Sequence, residues 1–213
     1  MNPEAFIRAH TAPATAPLVP EIALLLASEI TPIWRATEEW LRQANIEPPF
    51  WAFAWPGGQA TARHLLDHPE SVRGKRVLDF AAGCGIAAIA AAMSGAAGVE
   101  AAEIDPLALA ACRMNAALNG VTLATPEGDM VGSDSRWDII LCGDVCYEAP
   151  MTAHILPWLR RMAAAGTEVW LADPGRAYLP KDGLEPLATH AVPTTLELED
   201  RTERVVTIAR LLP

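Results

Sequence analysis

From Lys75 onward the chain alternates short apolar runs with Ala-rich segments, and this alternation limits the fold more than any other feature. The run "KRVLDFAAGCGIAAIAAAMSG" (75–95) is typical of a strand, a small-residue turn and a helix, and residues 96–120 repeat that pattern. Further strands are predicted at 121–129, 136–145 and 167–176. Residues 150–166 are predicted to be mostly helical, with a kink or break at Pro157. Regular strand–helix alternation favours a mostly parallel sheet with helices on both faces.

The two ends of the chain complete the predicted architecture. Residues 189–200 and 201–212 alternate with period two and predict a terminal hairpin, which brings the count to seven strands. At the other end, 11–20 is a Pro/Ala-rich lead-in, 20–30 and 35–45 have helical periodicity, 46–59 is predicted to be a loop and 59–68 a helix. We therefore expect an α/β fold. Its core is a doubly wound, seven-stranded, mostly parallel, Rossmann-like sheet with a C-terminal antiparallel hairpin and an N-terminal helical extension.

Composition excludes several classes of function. The chain has 213 residues and a formal charge of −10, which argues against nucleic acid and anionic membranes as partners. It has no apolar run of about 18 residues, as a membrane span requires, and its N-terminus lacks the layout of a secretion signal, so we expect a cytoplasmic protein. The four cysteines form no C-x-x-C pair and indicate structural thiols rather than a metal site.

Acidic residues and glycines fall at the ends of three predicted strands, where open α/β sheets bind ligands. Asp79 leads into "FAAGCG", in which Gly83 and Gly85 permit close approach of a ligand to the backbone. Glu103 follows Gly85 at a spacing that suits an acid accepting two hydrogen bonds from a ribose diol. Asp129, in the Gly-Asp pair after the third strand, suits an exocyclic amine of adenine. Taken singly, the three acids could equally be a helix cap, a salt-bridge partner and a turn residue.

Charge at the glycine turn indicates which nucleoside would bind. A dinucleotide site needs a third glycine for the pyrophosphate, and none lies three residues after Gly85. Asp79, just before the turn, disfavours a phosphate and favours an amino group. The sequence therefore predicts S-adenosylmethionine, which carries an ammonium and a cationic sulfonium.

The segments "VLDFAAGCGIAAIAAA", "EIDPLALAACRMNAALNGV" and "WDIILCGDVCYE" together resemble the seven-β-strand class I methyltransferases. Asp144 and Tyr147 match the Asp-x-x-Tyr motif of a protein-lysine methyltransferase family within that class. "FWAFAWPGGQA" (50–60) and "DPGR" (173–176) extend the resemblance to the branch whose members act on the β-subunit of electron transfer flavoprotein. One departure is Ala81, where the family has glycine; a methyl group is a small intrusion, and we expect binding to survive.

The resemblance implies roles for particular residues. The cofactor-binding set is Trp55, Gly58, Asp79, Gly83, Gly85, Glu103 and Asp129, with the "WPGG" loop covering the cofactor and shaping a lysine entrance. Asp144 and Tyr147 would meet the target amine as catalytic residues. Because a carboxylate also stabilises an ammonium ion, we expect Asp144 to bind and orient the amine first and to act as a base second. The alternative for the aromatic residues beside the loop is a packed hydrophobic hinge.

Two neighbouring charges and the domain limits complete these expectations. We expect Glu148 in the first turn of the next helix and Arg176 in a surface ion pair. The resemblance implies that residues 57–213 form the methyltransferase domain, with 1–56 an N-terminal helical extension and substrate-side loop.

The sequence leaves rival functions open. The chain could methylate another protein, such as ribosomal protein L7/L12 or L11, or a small molecule. It could also be a non-catalytic adenosyl-binding module or a nicotinamide-dependent reductase. We expect a monomer with no metal, in which the methyl donor and a lysine-bearing protein meet where the fourth strand ends.

Overall fold

The computed structural model describes residues 2–28, 33, 48–196 and 198–213. Its strands are β1 (Ala12–Ala16), β2 (Val19–Leu26), β3 (Arg76–Phe80), β4 (Gly98–Ala102), β5 (Ile139–Gly143), β6 (Glu168–Asp173), β7 (Leu184–Pro193) and β8 (Glu203–Leu211). Its α-helices are α1 (Pro3–His10), α2 (Pro56–Asp67), α3 (Ile86–Met93), α4 (Pro106–Leu118) and α5 (Ala149–Ala164). Short 3₁₀ helices lie at Phe50–Ala52 and Pro69–Ser71.

The main sheet has the strand order β4-β3-β5-β6-β8-β7. The first four strands are parallel, whereas β8 runs antiparallel to both β6 and β7. This confirms the predicted α/β class and the C-terminal hairpin. The sheet contains six strands in the described part of the chain instead of seven. Residues 121–129 make only isolated parallel bridges, of Ala124 to Glu100 and of Glu127 to Glu103, and Pro126 between them has no N–H to donate.

The N-terminal region differs from its prediction. Residues 20–26, expected to be helical, lie in strand β2, and part of the expected lead-in forms β1, which pairs with β2 in a separate two-stranded sheet. Helix α4 supports this strand because Asn115 Oδ1 and Asn119 Oδ1 accept the backbone N–H groups of Leu25 and Ala23 at 2.8 and 2.9 Å. The helix predicted over 35–45 lies outside the described residues.

Two apolar layers cover the main sheet. Along β5, Ile139 and Leu141 face the layer that contains α2 and α3, while Ile140 and Cys142 face the layer of α5. Strands buried on both faces have nearly continuous apolar sequences, as this one has. Helix α5 continues through Pro157 to Ala164, so the break expected there is absent.

Helix α2 begins at Pro56, three residues earlier than predicted. Proline suits the first helical position because its missing N–H would have no partner there. The glycines after Pro56 therefore lie in the first turn of a helix and not in a loop. None of the helices in the described ranges combines the length and the hydropathy that a membrane span needs.

Candidate active site

The turn between β3 and α3 has an unusual backbone conformation. Ala81, Gly83 and Gly85 have φ angles of +55°, +56° and +77°, in the left-handed region that glycine adopts without strain. A side chain at Gly83 would have no atom within 4 Å. The turn thus presents open backbone beside the start of α3. It lies at the end of the sheet where β3 has β4 as its outer neighbour and the adjacent β5 has β6 as its outer neighbour.

Glu103, just beyond the end of β4, lies against this turn. Its Oε1 accepts the N–H of Gly83 at 2.8 Å, and its Oε2 accepts the N–H of Ile104 at 3.2 Å. Burial raises the pKa of its carboxyl, although both hydrogen bonds act in the opposite direction. The structure therefore brings together the turn and the acid that the sequence paired by spacing.

Asp79 supports the turn from beneath. Its side chain is buried, and its Oδ2 accepts the N–H of Ala88 in α3 at 2.9 Å. Burial raises the pKa of this carboxyl to about 7, and the nearby charge of Glu103 adds to the increase. In this structure the hydrogen bond of Asp79 is made to the helix and not to the open side of the crevice.

Asp129 lies near the same crevice but is exposed. Its Oδ1 accepts the N–H of Val131 at 2.9 Å, and its Oδ2 lies 2.7 Å from Nε2 of His154. Burial opposes ionisation, but the hydrogen bonds from His154 and Val131 outweigh it and lower the pKa of the carboxyl. The sequence showed no pattern that pairs His154 with this acid, because the two residues are 25 positions apart.

The first turn of α2 contacts the end of β5 directly. The N–H of Gly57 donates to Oδ2 of Asp144, and a Cβ on Gly57 would lie 2.6 Å from that oxygen. A Cβ on Gly143 would lie 2.8 Å from the nitrogen of Gly58, and a Cβ on Gly58 would lie 3.1 Å from Ile86. Glycine is needed here because the two backbones touch, and the contact joins the "WPGG" segment to both α3 and β5.

Asp144 itself is buried and strained. It has a φ of +55°, which is uncommon outside glycine. Its Oδ1 accepts hydrogen bonds from Nη2 and Nε of Arg176 at 2.8 and 3.2 Å. Burial raises the pKa of its carboxyl to about 6 even though Arg176 and the Gly57 N–H favour ionisation.

Arg176 is not the surface residue that the sequence predicted. Its side chain is largely buried and bridges Asp144 to Glu199, whose Oε1 lies 2.6 Å from Nη2. Glu199 also pairs with Arg204 at 2.9 Å. Glu199 and Arg204 lie in the β7–β8 hairpin, where no local sequence signal connects them to the crevice. Sequence reasoning therefore missed this network.

The turn that carries Arg176 is held by Asp173 at the end of β6. Oδ1 of Asp173 accepts the N–H groups of Gly175 and Arg176 at 2.7 and 2.6 Å. Its Oδ2 is buried and has no hydrogen-bond partner among the described residues. Burial raises the pKa of this carboxyl. The turn thus fixes the position from which Arg176 reaches Asp144.

Aromatic side chains surround the mouth of the site. Phe50 and Tyr147 are 47% and 39% exposed, with ring centroids 5.7 Å apart. Trp55 packs edge-on against Phe50 and Phe53, and its Nε1 donates to the Phe50 carbonyl at 2.9 Å. By contrast, Trp51 is fully buried and Phe53 packs against the same apolar cluster, which fits the packed-hinge alternative for these two residues.

The prediction for Glu148 and the protonation of the neighbouring Tyr147 also concern this end of the sheet. Glu148 occupies the N-cap position of α5, not its first turn, and its side chain makes no capping hydrogen bond. Burial raises the pKa of Tyr147, and the charges of Glu148 and Glu103 add to this effect. All four cysteines are buried and free, and the described residues contain no cluster of metal-ligating side chains.

The crevice suits the ligand predicted from charge. Open space beside Gly83 admits a ligand to the backbone, and Glu103 supplies two acceptor oxygens at its edge. Acidic groups line the crevice, and Arg176, which contacts Asp144, is already paired with carboxylates. Such a site favours a cationic ligand over a pyrophosphate.

Two solved structures that share this fold are named methyltransferases. Magnesium protoporphyrin IX methyltransferase from Synechocystis, solved with bound S-adenosylmethionine, aligns over 72% of this chain and 80% of its own with a TM-score of 0.53 and 20% identity. A tRNA (uracil-54, C5)-methyltransferase from Pyrococcus abyssi, solved with S-adenosylhomocysteine, aligns over 78% of this chain and 41% of its own with a TM-score of 0.53 and 18% identity. The family model "Ribosomal protein L11 methyltransferase (PrmA)" matches residues 30–146. The chain is thus a class I methyltransferase.

Closer relatives narrow the class. The electron transfer flavoprotein beta subunit lysine methyltransferase of Xenopus laevis is 40% identical over 205 residues, which cover 93% of this chain and 82% of the frog protein. The protein of the same name from Homo sapiens is 38% identical over 188 residues, covering 83% and 68%. The chain belongs to this family of lysine methyltransferases, which confirms the family resemblance found in the sequence.

Proposed function

We propose that the chain is an S-adenosylmethionine-dependent protein-lysine N-methyltransferase that modifies lysines of the electron transfer flavoprotein β-subunit. The observation that carries this proposal is made at the end of β5, where Asp144 meets the "WPGG" segment and Tyr147 meets the neighbouring Phe50. Asp144 contacts Gly57, and Tyr147 packs against Phe50. The names of the relatives in the family support the choice of substrate.

The proposed cofactor site is the crevice at the ends of β3 and β4. S-adenosylmethionine, when bound, supplies a methyl group on a positively charged sulfur. Open backbone at Gly83 and the two acceptor oxygens of Glu103 support this placement. The residues that we propose to hold the cofactor are Trp55, Gly58, Asp79, Gly83, Gly85, Glu103 and Asp129.

The target amine must reach this site without a proton. A free lysine has a pKa near 10.4, so a neutral amine at pH 7 costs about 4.6 kcal/mol. The rings of Phe50, Trp55 and Tyr147 form an apolar mouth, which disfavours the ammonium form. We propose that Asp144 and the phenol oxygen of Tyr147 accept the remaining N–H groups and so orient the nitrogen lone pair.

Mass spectrometry of the purified flavoprotein β-subunit tests the proposal. After incubation with the chain and S-adenosylmethionine, lysine peptides of the β-subunit should gain methyl groups. Asp144→Ala should reduce the rate by about 100-fold or more because an orienting acceptor is lost. Asp182→Ala, at a side chain that is 96% exposed, is the control and should retain the rate of the unmodified chain.

A second candidate substrate is a ribosomal protein. The matched family model is named for ribosomal protein L11, and the L11 methyltransferase of Aliivibrio salmonicida is 43% identical over 46% of this chain and 35% of its own length. Methylation of L11 or L7/L12, but not of the flavoprotein subunit, would replace the proposed substrate. Methyl transfer to a small molecule alone would likewise replace the proposed protein substrate. Tight cofactor binding without transfer to any acceptor would indicate a non-catalytic adenosyl-binding module.

We also propose that the chain acts as a cytoplasmic monomer, without a nucleic-acid or membrane partner. The formal charge of −10 supports the proposed lack of nucleic-acid and membrane partners, because anionic partners would be repelled. We keep the division into an N-terminal substrate-side region (1–56) and a methyltransferase domain (57–213) as part of the proposal. Sedimentation velocity and a salt-dependent RNA-binding assay test these points.

A further inference from the structure

The carboxylate of Asp144 creates an electrostatic difficulty for amine methylation. An isolated buried carboxylate beside the target lysine would stabilise the ammonium form, which has no lone pair to attack a methyl group. A useful acceptor must therefore offer lone pairs without a net negative charge. Arg176 meets this requirement because its Nη2 and Nε both lie within hydrogen-bond distance of Oδ1 of Asp144.

Asp144 belongs to a buried chain in which acids alternate with guanidinium groups. Asp144, Arg176, Glu199 and Arg204 form a continuous chain of ion pairs whose side chains are 9%, 19%, 3% and 20% exposed. These two acids and two guanidinium groups balance in charge, and the carboxylate of Asp200, which also pairs with Arg204 but is exposed, adds one negative charge at the outer end of the chain. Coulomb interactions between them are weakly screened because all four side chains are largely removed from solvent.

Other titratable groups face the same site from each element packed against it. The charge of Asp173 at the end of β6 opposes ionisation of Asp144. Burial holds the Cys146 thiol neutral and raises its pKa to about 12. From the remaining sides, the groups are Tyr147, Glu148 and Glu103, with Asp200 at the outer end of the ion-pair chain. Arg176 is the one described cation that directly contacts Asp144.

We propose that Arg176 is a positioning residue that cancels the charge of Asp144, so that the carboxylate accepts hydrogen bonds from the target amine without holding it as an ammonium ion. This inference rests on the proposed function, because it assumes that an amine enters beside Asp144. Glu199 shares the same guanidinium and therefore sets how much positive charge reaches Asp144. The β7–β8 hairpin, distant in sequence, thus takes part in the site.

The pH dependence of methyl transfer in a single turnover tests this role. The rate should rise with pH as the bound amine loses its proton. In Arg176→Gln this rise should move up by about one pH unit, so that the rate falls about tenfold at pH 7 but matches the unmodified chain once both have levelled off. Glu199→Gln should move the rise in the opposite direction, because Arg176 would then be shared with one carboxylate fewer.

A matched control removes a similar charge elsewhere. Arg210 also bridges two carboxylates, Glu168 and Glu185. It lies opposite Trp170 in the register of β8 against β6, near the end of β6 that is remote from Arg176. Arg210→Gln should leave the pH profile unmoved. A loss of rate in Arg176→Gln by the same factor at every pH would overturn the proposal, because a purely structural role predicts that result. Shifts of Arg176→Gln and Glu199→Gln in the same direction would overturn it too.

A measurement without methyl transfer separates this inference from the proposed substrate. If the unmodified chain methylates no protein, the proposed function fails, while binding of n-butylamine still reports on Arg176. In the presence of S-adenosylhomocysteine at pH 7, Arg176→Gln should bind this lysine side-chain mimic about tenfold more tightly, since an uncompensated Asp144 retains the ammonium ion. Equal or weaker binding by the variant would contradict the inference.

Discussion

The backbone N–H of Gly57 donates a hydrogen bond to Oδ2 of Asp144, which joins the first turn of α2 to the end of β5 across 87 residues of sequence. The same carboxylate accepts hydrogen bonds from Arg176 through its other oxygen. Asp144 therefore connects the segment that borders the proposed lysine entrance with the turn after β6. The geometry of the site depends on how closely these backbones approach.

Gly57→Ala should disrupt this contact. An added Cβ would lie 2.6 Å from Oδ2 and 2.7 Å from the backbone nitrogen of Asp144, so the helix start or the strand end must move. We expect a loss of about 2–3 kcal/mol in the free energy of unfolding and a loss of activity. Gly98→Ala is the control, since an added Cβ there meets no atom within 4 Å, and it should leave stability unchanged or raise it by up to about 1 kcal/mol because alanine loses less backbone entropy on folding. Urea denaturation measures both, and equal stability of the two variants would contradict the contact.

Ala81→Gly should relieve strain in the turn after β3. Ala81 has a φ of +55°, a conformation that costs a non-glycine residue about 1–2 kcal/mol. Glycine removes this strain but loses more backbone entropy, so we expect the variant to be as stable as the unmodified chain or up to about 1 kcal/mol more stable. Ala82→Gly, at a neighbour without a positive φ, should be destabilising. Thermal denaturation that ranks Ala82→Gly above Ala81→Gly would refute the strained turn.

Asp79→Asn should change how stability depends on pH. The folded-state pKa of Asp79 is raised from its usual value to about 7, so the folded state binds a proton that the unfolded chain releases between about pH 4 and pH 7. The contribution of this group is thus fully present below pH 4 and declines as pH rises through 7. Asparagine removes the decline, and the variant should exceed the unmodified chain by about 2 kcal/mol or more at pH 8 but not at pH 4. A stability difference that is the same at both pH values would show that Asp79 keeps an ordinary pKa.

Glu103→Ala should weaken cofactor binding. Loss of the carboxylate removes two proposed acceptors for the cofactor and leaves the Gly83 N–H without its partner. We expect the dissociation constant of S-adenosylhomocysteine to rise by about 10–100-fold in calorimetry. Glu100→Ala alters an acid on the same strand that pairs with Arg136. Its dissociation constant should match that of the unmodified chain, and a similar loss in both variants would count against the proposed site.

The sequence predicted the parts of this fold that local patterns determine. Strands β3 to β6 are short apolar runs bounded by glycines and acids, and the acids mark the strand ends in the structure. Residues 20–26 were assigned wrongly because "EIALLL" suits a buried helix as well as a strand. Only the pairing with β1 and the amides of Asn115 and Asn119 decide between them. The two asparagines lie 90 or more residues away in sequence, so no local pattern points to their contact with this strand.

The sequence predicted that these acids lie at neighbouring strand ends, but it did not predict their counter-ions. Asp79 lies near the end of β3, Glu103 and Asp144 follow β4 and β5, and their proximity follows from parallel pairing. The pairing of Arg176 with Glu199 could not be predicted, since Glu199 lies in a hairpin loop whose position depends on the whole sheet. The early start of α2 was missed because consecutive glycines usually indicate a turn, whereas here they permit contact between two backbones.

The most direct test of the account is a crystal structure of the chain with S-adenosylhomocysteine bound. We predict that the sulfur lies between the turn at Gly83 and the side chains of Asp144 and Tyr147, facing the aromatic mouth. A ligand bound with its sulfur away from the end of β5, or on the opposite edge of the sheet, would contradict the proposed site.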